Sequence, residues 1–557
     1  MYDVHSHEST KTAEDTRSTS RKIVVFCGPE TLPSTKETLE AISSKYPLWR
    51  ILIVQGPGRQ RRIWTYLKNK SRRVLREPIS YPLSLMAGFP GRVRSWIPGN
   101  RRTNPSLFSL CSPQRPNVMY HRSSWLHSQE TLDLISQFSP WLGISLGAPI
   151  LKPSLFELPL QGTINIHKSY LPEYRGMPPG FWELHDGALQ SGVSVHWVAR
   201  GLDTGDIIEQ RLFKIPSYTT PGGLGSLLDQ LGEELLLSVL SQLDSGEQPR
   251  TPQERAKTPT RSIPPFLLKH KVCRSCERRR SARFSVLGRL RSLVKTCLLI
   301  GYVFVFAPFR NLLNRVRGTS HVTILLYHRV DDEYLDDVTV GIEQFQQQIH
   351  FLASSYQVLD MPEFLASRGE PRRRPAVVIT FDDGYESNYL AARLLRREGL
   401  PATFFISTRI VGSERPFPHD IEKLGKRVPA LSWEEASKIF EWGFHIGPHT
   451  ATHANVGKIN SEQAITEIRT SVEDIIAKFG RDGAAEWFAY PYGKSDDITT
   501  HLRQELEKMG VSCCLSAYGG TNPPEFSLLD IKRQGVDHKF SLLALRAIVE
   551  GWKVRTK

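Results

Sequence analysis

The sequence predicts an α/β protein of two large domains, each organised around parallel strands. Three observations carry that expectation. At 557 residues the chain exceeds what one core organises, since domains run about 100 to 200 residues and single cores stop growing near about 300. Short runs rich in Ile, Val and Phe end in Gly or Pro and alternate with helix-length segments, the pattern of a parallel sheet with crossover helices. The alternation occurs twice, opening at "KIVVFC" and again at "TILLYHRV", with a Pro-rich and then a basic stretch between.

Composition supports a folded chain: 40% hydrophobic, 10% aromatic and 23% charged residues describe a globular protein, not a disordered or fibrous one. The net charge of +15, from 72 Lys plus Arg against 57 Asp plus Glu, suits nucleic acid, anionic lipid or phosphorylated substrates, and its location has to decide among them. Seven scattered cysteines are too few for a disulfide framework in so long a chain, which points to a reduced, cytoplasmic protein. The first twenty residues contain no apolar stretch, so residues 1–20 are expected to be disordered and to hold no cleavable secretory signal.

The first domain is expected over residues 21–262. "KIVVFC" and "RILIVQGPG" read as its first parallel strands, and the basic, Pro-broken interval from Arg59 to Arg122 resists assignment. "WLGISLGAPIL" and "GTINIHKS" follow as strands, and "VSVHWVARGLDTGDIIEQRLFKI" alternates like a strand pair. Leu224, Leu227, Leu228, Leu231, Leu235 and Val239 then mark one helical face, and "GEQPRTPQERAKTPTRSIPP" looks like the domain exit.

Residues 263–318 are expected to form a basic and apolar linker. Between Lys269 and Lys295 ten Lys or Arg face one acid, Glu277, and "TCLLIGYVFVFAPF" follows at once. That apolar run falls short of the roughly 20 residues of a spanning helix, leaving a packed helix and an interfacial helix on anionic lipid as the two readings, with a true span ranked below both. Cys273 and Cys276 form a lone C-x-x-C, which without a second pair reads as incidental. The second domain occupies residues 319–557.

In "INIHKS" the period-two alternation of a strand puts Asn165 and His167 on one face. Downstream, "GLDTGDII" sets Asp203 at a Gly-bracketed turn, from which a carboxylate can reach an imidazole. Amide, imidazole and carboxylate together suit acyl transfer to an amine: an oxyanion donor, a proton handler and a group that tunes it. Each residue alone would pass as an ordinary hydrogen bonder; the ordered combination is what carries weight.

The stretch from "SLGAPILKP" through "GTINIHKSYLPEYRG" to "GLDTGDII" resembles the formyltransferases that use 10-formyltetrahydrofolate. The resemblance spans roughly Lys22 to Gln253 and is specific in its second half. It implies a Rossmann-like domain in which Asn165 donates to the formyl oxyanion, His167 supports its charge and assists proton transfer, and Asp203 holds His167 and a water. It also implies that Leu146, Gly147 and Ile150 lie beside the pterin. A tRNA acceptor would call for an appended small β-barrel, and no run of short alternating strands follows Gln253, so a small amine, with an amino sugar on a nucleotide or lipid carrier leading, is the expected acceptor.

"ITFDDGY" ends an apolar strand with Asp382 and Asp383, which reach one site only if the strand stops there. "HTATH" puts His449 and His453 four apart, read as one helical turn that lets both imidazoles converge on a cation. Two His and one carboxylate are the ligand set of a catalytic divalent metal, usually Zn²⁺ in hydrolysis, and the remaining carboxylate is free to act as a base.

With "LLYHRV" and "FAYPYG" in the same order, these motifs resemble the NodB-homology polysaccharide deacetylases over roughly Thr323 to Gly551. The resemblance implies a distorted, incomplete (β/α) barrel, Asp382 as general base, and Asp383, His449 and His453 as metal ligands. It further implies that Pro491 and Tyr492 line the sugar groove and that the Tyr492 N–H helps form the oxyanion hole. Two positions depart. Ala489 stands where the family often has an Arg that orients the base, so that orientation must come from elsewhere. The His of the last motif is not evident, with His538 as a substitute, and His328 either reaches the groove or caps its strand.

The expected function is a bifunctional enzyme of amino-sugar modification, transferring a formyl group to an amine and hydrolysing an N-acyl group on a carbohydrate. The alternative is a membrane-docked protein with one active half and the other kept for binding. Nucleic acid ranks last among partners, because the basic tract has no interleaved aromatics or recognisable module.

Overall fold

The computed structural model describes residues 20–28, 32–57, 107–113, 115–281, 296–480, 484–495, 498 and 500–552. The stretch expected to be disordered, most of the unassigned basic interval and the second half of the basic tract lie outside these residues. The chain divides into two units: Met1–Trp182, Ser191–Phe213 and Leu231–Phe266 form one, and Glu183–Gln190, Lys214–Gln230 and Leu267–Lys557 the other.

The first unit is built on a seven-stranded sheet of order β3-β2-β1-β4-β5-β6-β7. Its strands are β1 (Lys22–Cys27), β2 (Arg50–Gln55), β3 (Val118–Arg122), β4 (Leu142–Leu146), β5 (Thr163–His167), β6 (Gln190–Trp197) and β7 (Ile207–Lys214). β1 to β5 run parallel and β6 pairs antiparallel to β5. β1 and β2 are buried on both faces, which is why they read as unbroken Ile and Val runs. The helix Gln129–Phe138, capped by the Ser128 hydroxyl, lays Ile135 and Phe138 against Val24, Phe26, Leu52 and Val54. The chain builds β1-β2-β3 outward and then returns to β4 on the other side of β1, so a switch in strand order lies between β1 and β4, where such sheets open a crevice at the strands' carboxyl ends. The expected leucine stripe is a helix, Pro221–Asp244, with Leu224, Leu228, Leu235 and Val239 buried and Leu227 and Leu231 half-buried.

The second unit holds β8 (Val322–Tyr327), β9 (Arg329–Val330), β10 (Thr339–Val340), β11 (Gln357–Leu359), β12 (Ala376–Phe381), β13 (Thr403–Ile406), β14 (His445–Pro448), β15 (Trp487–Ala489), β16 (Cys513–Leu515) and β17 (Arg533–Gly535). Six form a parallel sheet of order β14-β13-β12-β8-β17, with β11 also on β12, while β15 and β16 pair apart from it. Parallel strands with intervening helices, interrupted in their pairing, make the open, distorted (β/α) arrangement that the motifs implied. Tyr327, Phe345, Phe381 and Phe404 fill its centre, with the Phe381 and Phe404 rings stacked at 4.7 Å. Helix starts are fixed locally by two capping boxes, Asp360 with Glu363 and Ser432 with Glu435.

The expected linker is helical where it is described: Phe266–Ser281, then Thr296–Arg317. The second helix outruns the apolar stretch read from sequence because Arg310, which ended that stretch, is satisfied by the Glu550 carbonyl and stays in the helix. Of the seven cysteines none is bonded to another.

Candidate active sites

Asn165 and His167 close β5, on one face as the alternation required. Asn165 is paired in register with His196 of β6, and its Nδ2 lies 3.2 Å from His196 Nε2. His196 Nδ1 donates to the Trp197 carbonyl at 2.8 Å, which leaves Nε2 as the acceptor for the Asn165 amide. Burial lowers the His196 imidazole from its ordinary value, against the Trp197 hydrogen bond and the Asp203 charge that raise it. His167 Nε2 donates to the Tyr174 carbonyl at 3.1 Å and its Nδ1 lies 3.5 Å from Asp203 Oδ2. Asp203 Oδ1 is 3.8 Å from His196 Nε2, so one carboxylate stands between two imidazoles.

The Asp203 turn is built by its neighbours. Asp203 itself has φ of 52°, Gln253 Nε2 donates to the Asp203 and Gly205 carbonyls, and the Gly176 N–H donates to Asp203 Oδ2 at 3.2 Å. A Cβ on Gly205 would sit 1.8 Å from the Trp197 oxygen, so only glycine lets the turn close on β6. Sequence reasoning thus assembled Asn165, His167 and Asp203 and missed His196, whose only trace is its place on the strand run "SVHW".

Leu146 ends β4, and because Ser145 pairs with Asn165, Leu146 and Gly147 continue along the carboxyl edge beside β5. Leu146 is buried and Ile150 is 78% exposed. Gly147 turns at φ of 63° with nothing within 4 Å of where a Cβ would stand. That open, turned backbone at the strand end leaves room for a flat ring against it.

In the second unit β12 stops at Phe381. Asp383 adopts φ of 76° and Gly384 φ of 91°, so the chain reverses and both carboxylates turn into one site. Asp382 faces Arg533 of β17, whose Nη1 and Nη2 donate to Oδ1 and Oδ2 at 2.6 and 2.7 Å. Arg533 is fully buried and its Nε donates to the Ser516 carbonyl at 2.8 Å. This fork brings Asp382 the guanidinium that Ala489 does not, from a strand that carried no motif.

Asp383 Oδ1 lies 2.9 Å from His453 Nε2 and 3.3 Å from His449 Nε2. The three ligand atoms fall within 4.8 Å of one another, among the described residues the one cluster of this kind. His449 Nδ1 donates to the Ala489 carbonyl at 2.8 Å, which aims its Nε2 lone pair at the site, the second-shell bond typical of a metal-binding imidazole. Both Asp383 oxygens are buried without a hydrogen-bond partner. A buried, orphaned carboxylate between two aimed imidazoles fits a divalent cation. Burial works to raise the Asp383 carboxyl, but the charge on His453 and the close contacts of His449 and His453 hold it well below the usual range.

The expected helical turn through "HTATH" is not there. His449 and His453 lie in a loop after β14, and left-handed residues, Thr450 at φ of 59° and His453 at 60°, fold it so that the rings sit 5.2 Å apart. Convergence survives, by a different backbone. Pro491 is buried, and Tyr492, 42% exposed, sets its ring 5.1 Å from that of His453.

His419 was not foreseen. Its Nε2 is 2.7 Å from the Tyr385 hydroxyl and 3.7 Å from Asp383 Oδ2, and burial, outweighing the Asp383 charge, lowers its pKa to about 4. No motif spacing marks "FPHD", so only the fold reveals it. Burial also lowers His328, against the pull of Asp383 and Asp382, so this imidazole lies within reach of both carboxylates' charge. His538 is tied by Nδ1 to the Asp336 carbonyl at 2.7 Å.

Comparison with known proteins matches these two regions to two families. Residues 102–240 match the formyl transferase family model and residues 369–514 the polysaccharide deacetylase model. Methionyl-tRNA formyltransferase from Syntrophus aciditrophicus (strain SB) is 38% identical over 124 residues, covering 22% of this chain and 40% of that protein. The chain thus spans about two fifths of the length of such curated relatives. Among solved structures, the Streptococcus pyogenes deacetylase PplD in complex with acetate is 18% identical, covers 41% of this chain and 97% of its own, and gives a TM-score of 0.34. A sugar N-formyltransferase from a Shewanella species is 14% identical, covers 44% and 77%, and gives 0.29. Two enzyme families therefore meet in one polypeptide, which carries a formyl transferase region followed by a polysaccharide deacetylase region.

Proposed function

We propose that the protein modifies amino sugars with two activities, N-formyl transfer from 10-formyltetrahydrofolate to an amine and metal-dependent hydrolysis of an N-acyl group on a carbohydrate. The observation that carries the reading is that both residue sets are assembled, Asn165, His167 and Asp203 around one strand end and Asp382, Asp383, His449 and His453 around another.

In the transfer site the folate would supply the formyl carbon. Asn165 is placed to donate to the oxyanion as an amine attacks, His167 to support that charge and pass a proton, and Asp203 to orient His167. His196 positions Asn165 through the amide contact described above. In the hydrolytic site Asp383, His449 and His453 would hold a divalent cation, Zn²⁺ by preference, whose chemistry is to polarise the acyl carbonyl. Asp382, aligned by Arg533, takes the proton from water, and the Tyr492 N–H donates to the oxyanion. Arg533 supports an active hydrolytic half over one kept only for binding.

An amino sugar is the acceptor that gives both halves one purpose, because a carbohydrate deacylase exposes the kind of amine a formyltransferase consumes. A folate donor and seven unbonded cysteines support a cytoplasmic setting.

The test is to incubate the protein with 10-formyltetrahydrofolate, Zn²⁺ and nucleotide-linked 4-amino and N-acetylamino sugars and to follow product masses. Gain of a formyl group on the amine and loss of acyl from the N-acyl sugar are expected. A metal-loaded protein that does neither across such a panel defeats the reading.

A further inference from the structure

The helix Thr296–Arg317 belongs to neither catalytic site. We propose that it is a membrane-surface element, laying an outward apolar stripe into the face of an anionic bilayer and holding the deacetylase unit against it. This inference is independent of the reactions proposed above.

The helix has two faces with different fates. Leu299, Val303 and Ala307 are buried against Ala544 and Ala547 of the helix Leu542–Val549. The same side is pinned by polar contacts to Glu550: the Tyr302 hydroxyl donates to its carbonyl at 2.9 Å, Arg310 donates to that carbonyl, and the Asn311 amide donates to its carboxylate. Away from these contacts Phe309, Leu312 and Val316, three and four residues apart in the α-helical segment Ala307–Arg317, share one stripe and are 63%, 60% and 81% exposed. Ahead of them Leu298, Ile300, Phe304, Val305 and Phe306 are also exposed, the last three within the π-helical turn Tyr302–Phe306. Only 17% of the helix's most apolar 18-residue stretch is buried. Isolated exposed leucines need no explanation, but a continuous stripe of this kind does.

Charge selects lipid as the occupant. Arg315 and Arg317 are exposed at the end of the helix, and the preceding helix Phe266–Ser281 exposes Lys269, Lys271, Arg274, Arg278 and Arg279 with one acid, Glu277. Basic residues flanking an apolar stripe complement anionic headgroups above hydrocarbon. The Glu550 contacts select lying over spanning. The helix is long enough to cross a bilayer at about 1.5 Å per residue, but crossing would tear Arg310 from Glu550 and drag its charge into hydrocarbon.

The test is flotation of the full chain with phosphatidylglycerol-containing vesicles and with phosphatidylcholine vesicles. Flotation with the anionic vesicles, weaker with the neutral ones and reduced by salt, is expected. Phe309→Glu with Leu312→Glu should lower the floating fraction roughly tenfold or more, while hydrolysis of a soluble N-acyl sugar and the melting temperature stay at wild-type values, since both positions face outward. Arg315→Glu with Arg317→Glu should weaken flotation with anionic vesicles alone. A protein that stays at the bottom with both vesicles overturns the proposal, as does a glutamate variant that floats like wild type. Resistance of the membrane-bound protein to alkaline carbonate would show a span and overturn the surface geometry. A stripe that instead drives concentration-dependent self-association without vesicle binding would overturn lipid as the occupant.

Discussion

Arg533 grips Asp382 through two parallel hydrogen bonds of 2.6 and 2.7 Å across 151 residues of sequence. Both groups are buried, and the fork holds the carboxylate in one plane, a geometry that a lysine cannot reproduce. Arg533→Lys is therefore expected to lower kcat for N-acyl hydrolysis roughly 10- to 100-fold with a smaller change in KM, because the base is misaligned. Arg533→Met leaves a buried carboxylate without its partner and should also cost about 3 to 5 kcal/mol of stability in that unit. Steady-state kinetics with thermal melts separate the two effects, and unchanged kcat in both variants would deny Arg533 this role.

Metal content should follow Asp383 and the two histidines. Asp383→Ala and His453→Ala are each expected to reduce bound Zn²⁺ by more than about tenfold and to abolish hydrolysis. Elemental analysis after dialysis measures the first, and formyl transfer in the same samples should remain. Full retention of Zn²⁺ in Asp383→Ala would place the ion elsewhere.

Formyl transfer should depend on His196 staying neutral. Protonation would put a donor on Nε2 facing the Asn165 amide donor and break their contact. The groups around His196 are Asp203, which raises its pKa, and His167 and Arg175, which lower it, with burial dominant. The folded value thus lies below the ordinary 6.5. Above 6.5 the group is neutral in both folded and unfolded chains. Below it the unfolded chain binds the proton first, so stability contributed by the neutral group is lost as pH falls through the folded value. A pH-rate profile for formyl transfer should lose activity on that acid side, and His196→Gln should remove the limb while retaining part of the rate.

Asn165→Ala is expected to reduce formyl transfer by roughly 100- to 1,000-fold, the usual loss for an oxyanion donor, and to leave hydrolysis intact. Asp382→Asn should do the reverse. Product masses from one mixture report both activities, and loss of both from either substitution would contradict two separate sites.

Gly205→Ala should distort the Asp203 turn, since the new Cβ would lie 1.8 Å from the Trp197 oxygen. Formyl transfer is expected to fall with a destabilisation of about 1 to 3 kcal/mol, and Gly225→Ala in the helix Pro221–Asp244, whose Cβ meets nothing within 4 Å, is the control that keeps the transfer rate.

What the sequence made legible follows from what is local. β1, β2, β8 and β12 were readable because strands buried on both faces must be apolar throughout. Asn165 with His167 was readable because a strand alternates, and Asp382 with Asp383 because two adjacent carboxylates converge only past a strand end. The spacing of His449 and His453 gave their meeting but the wrong backbone, since four residues span a helical turn and a left-handed loop alike. His196, His419 and Arg533 were not readable as site residues. Antiparallel register, a buried tyrosine contact and a distant strand bring them in, and none leaves a spacing signature near its partner. The helix Thr296–Arg317 was cut short in sequence for a related reason, because Arg310 ends an apolar run on paper and is hydrogen-bonded to a carbonyl 240 residues away.

Ala489 shows how a motif can outlive its side chain. Its methyl group is buried in an apolar cluster, yet its backbone oxygen fixes which nitrogen of His449 faces the site. The guanidinium expected at this address arrives from β17 instead. A position can therefore serve a site through its peptide bond alone, while the guanidinium its side chain does not supply comes from another strand. Read letter by letter, the motif lacks its arginine; read as atoms in space, Asp382 still meets a guanidinium.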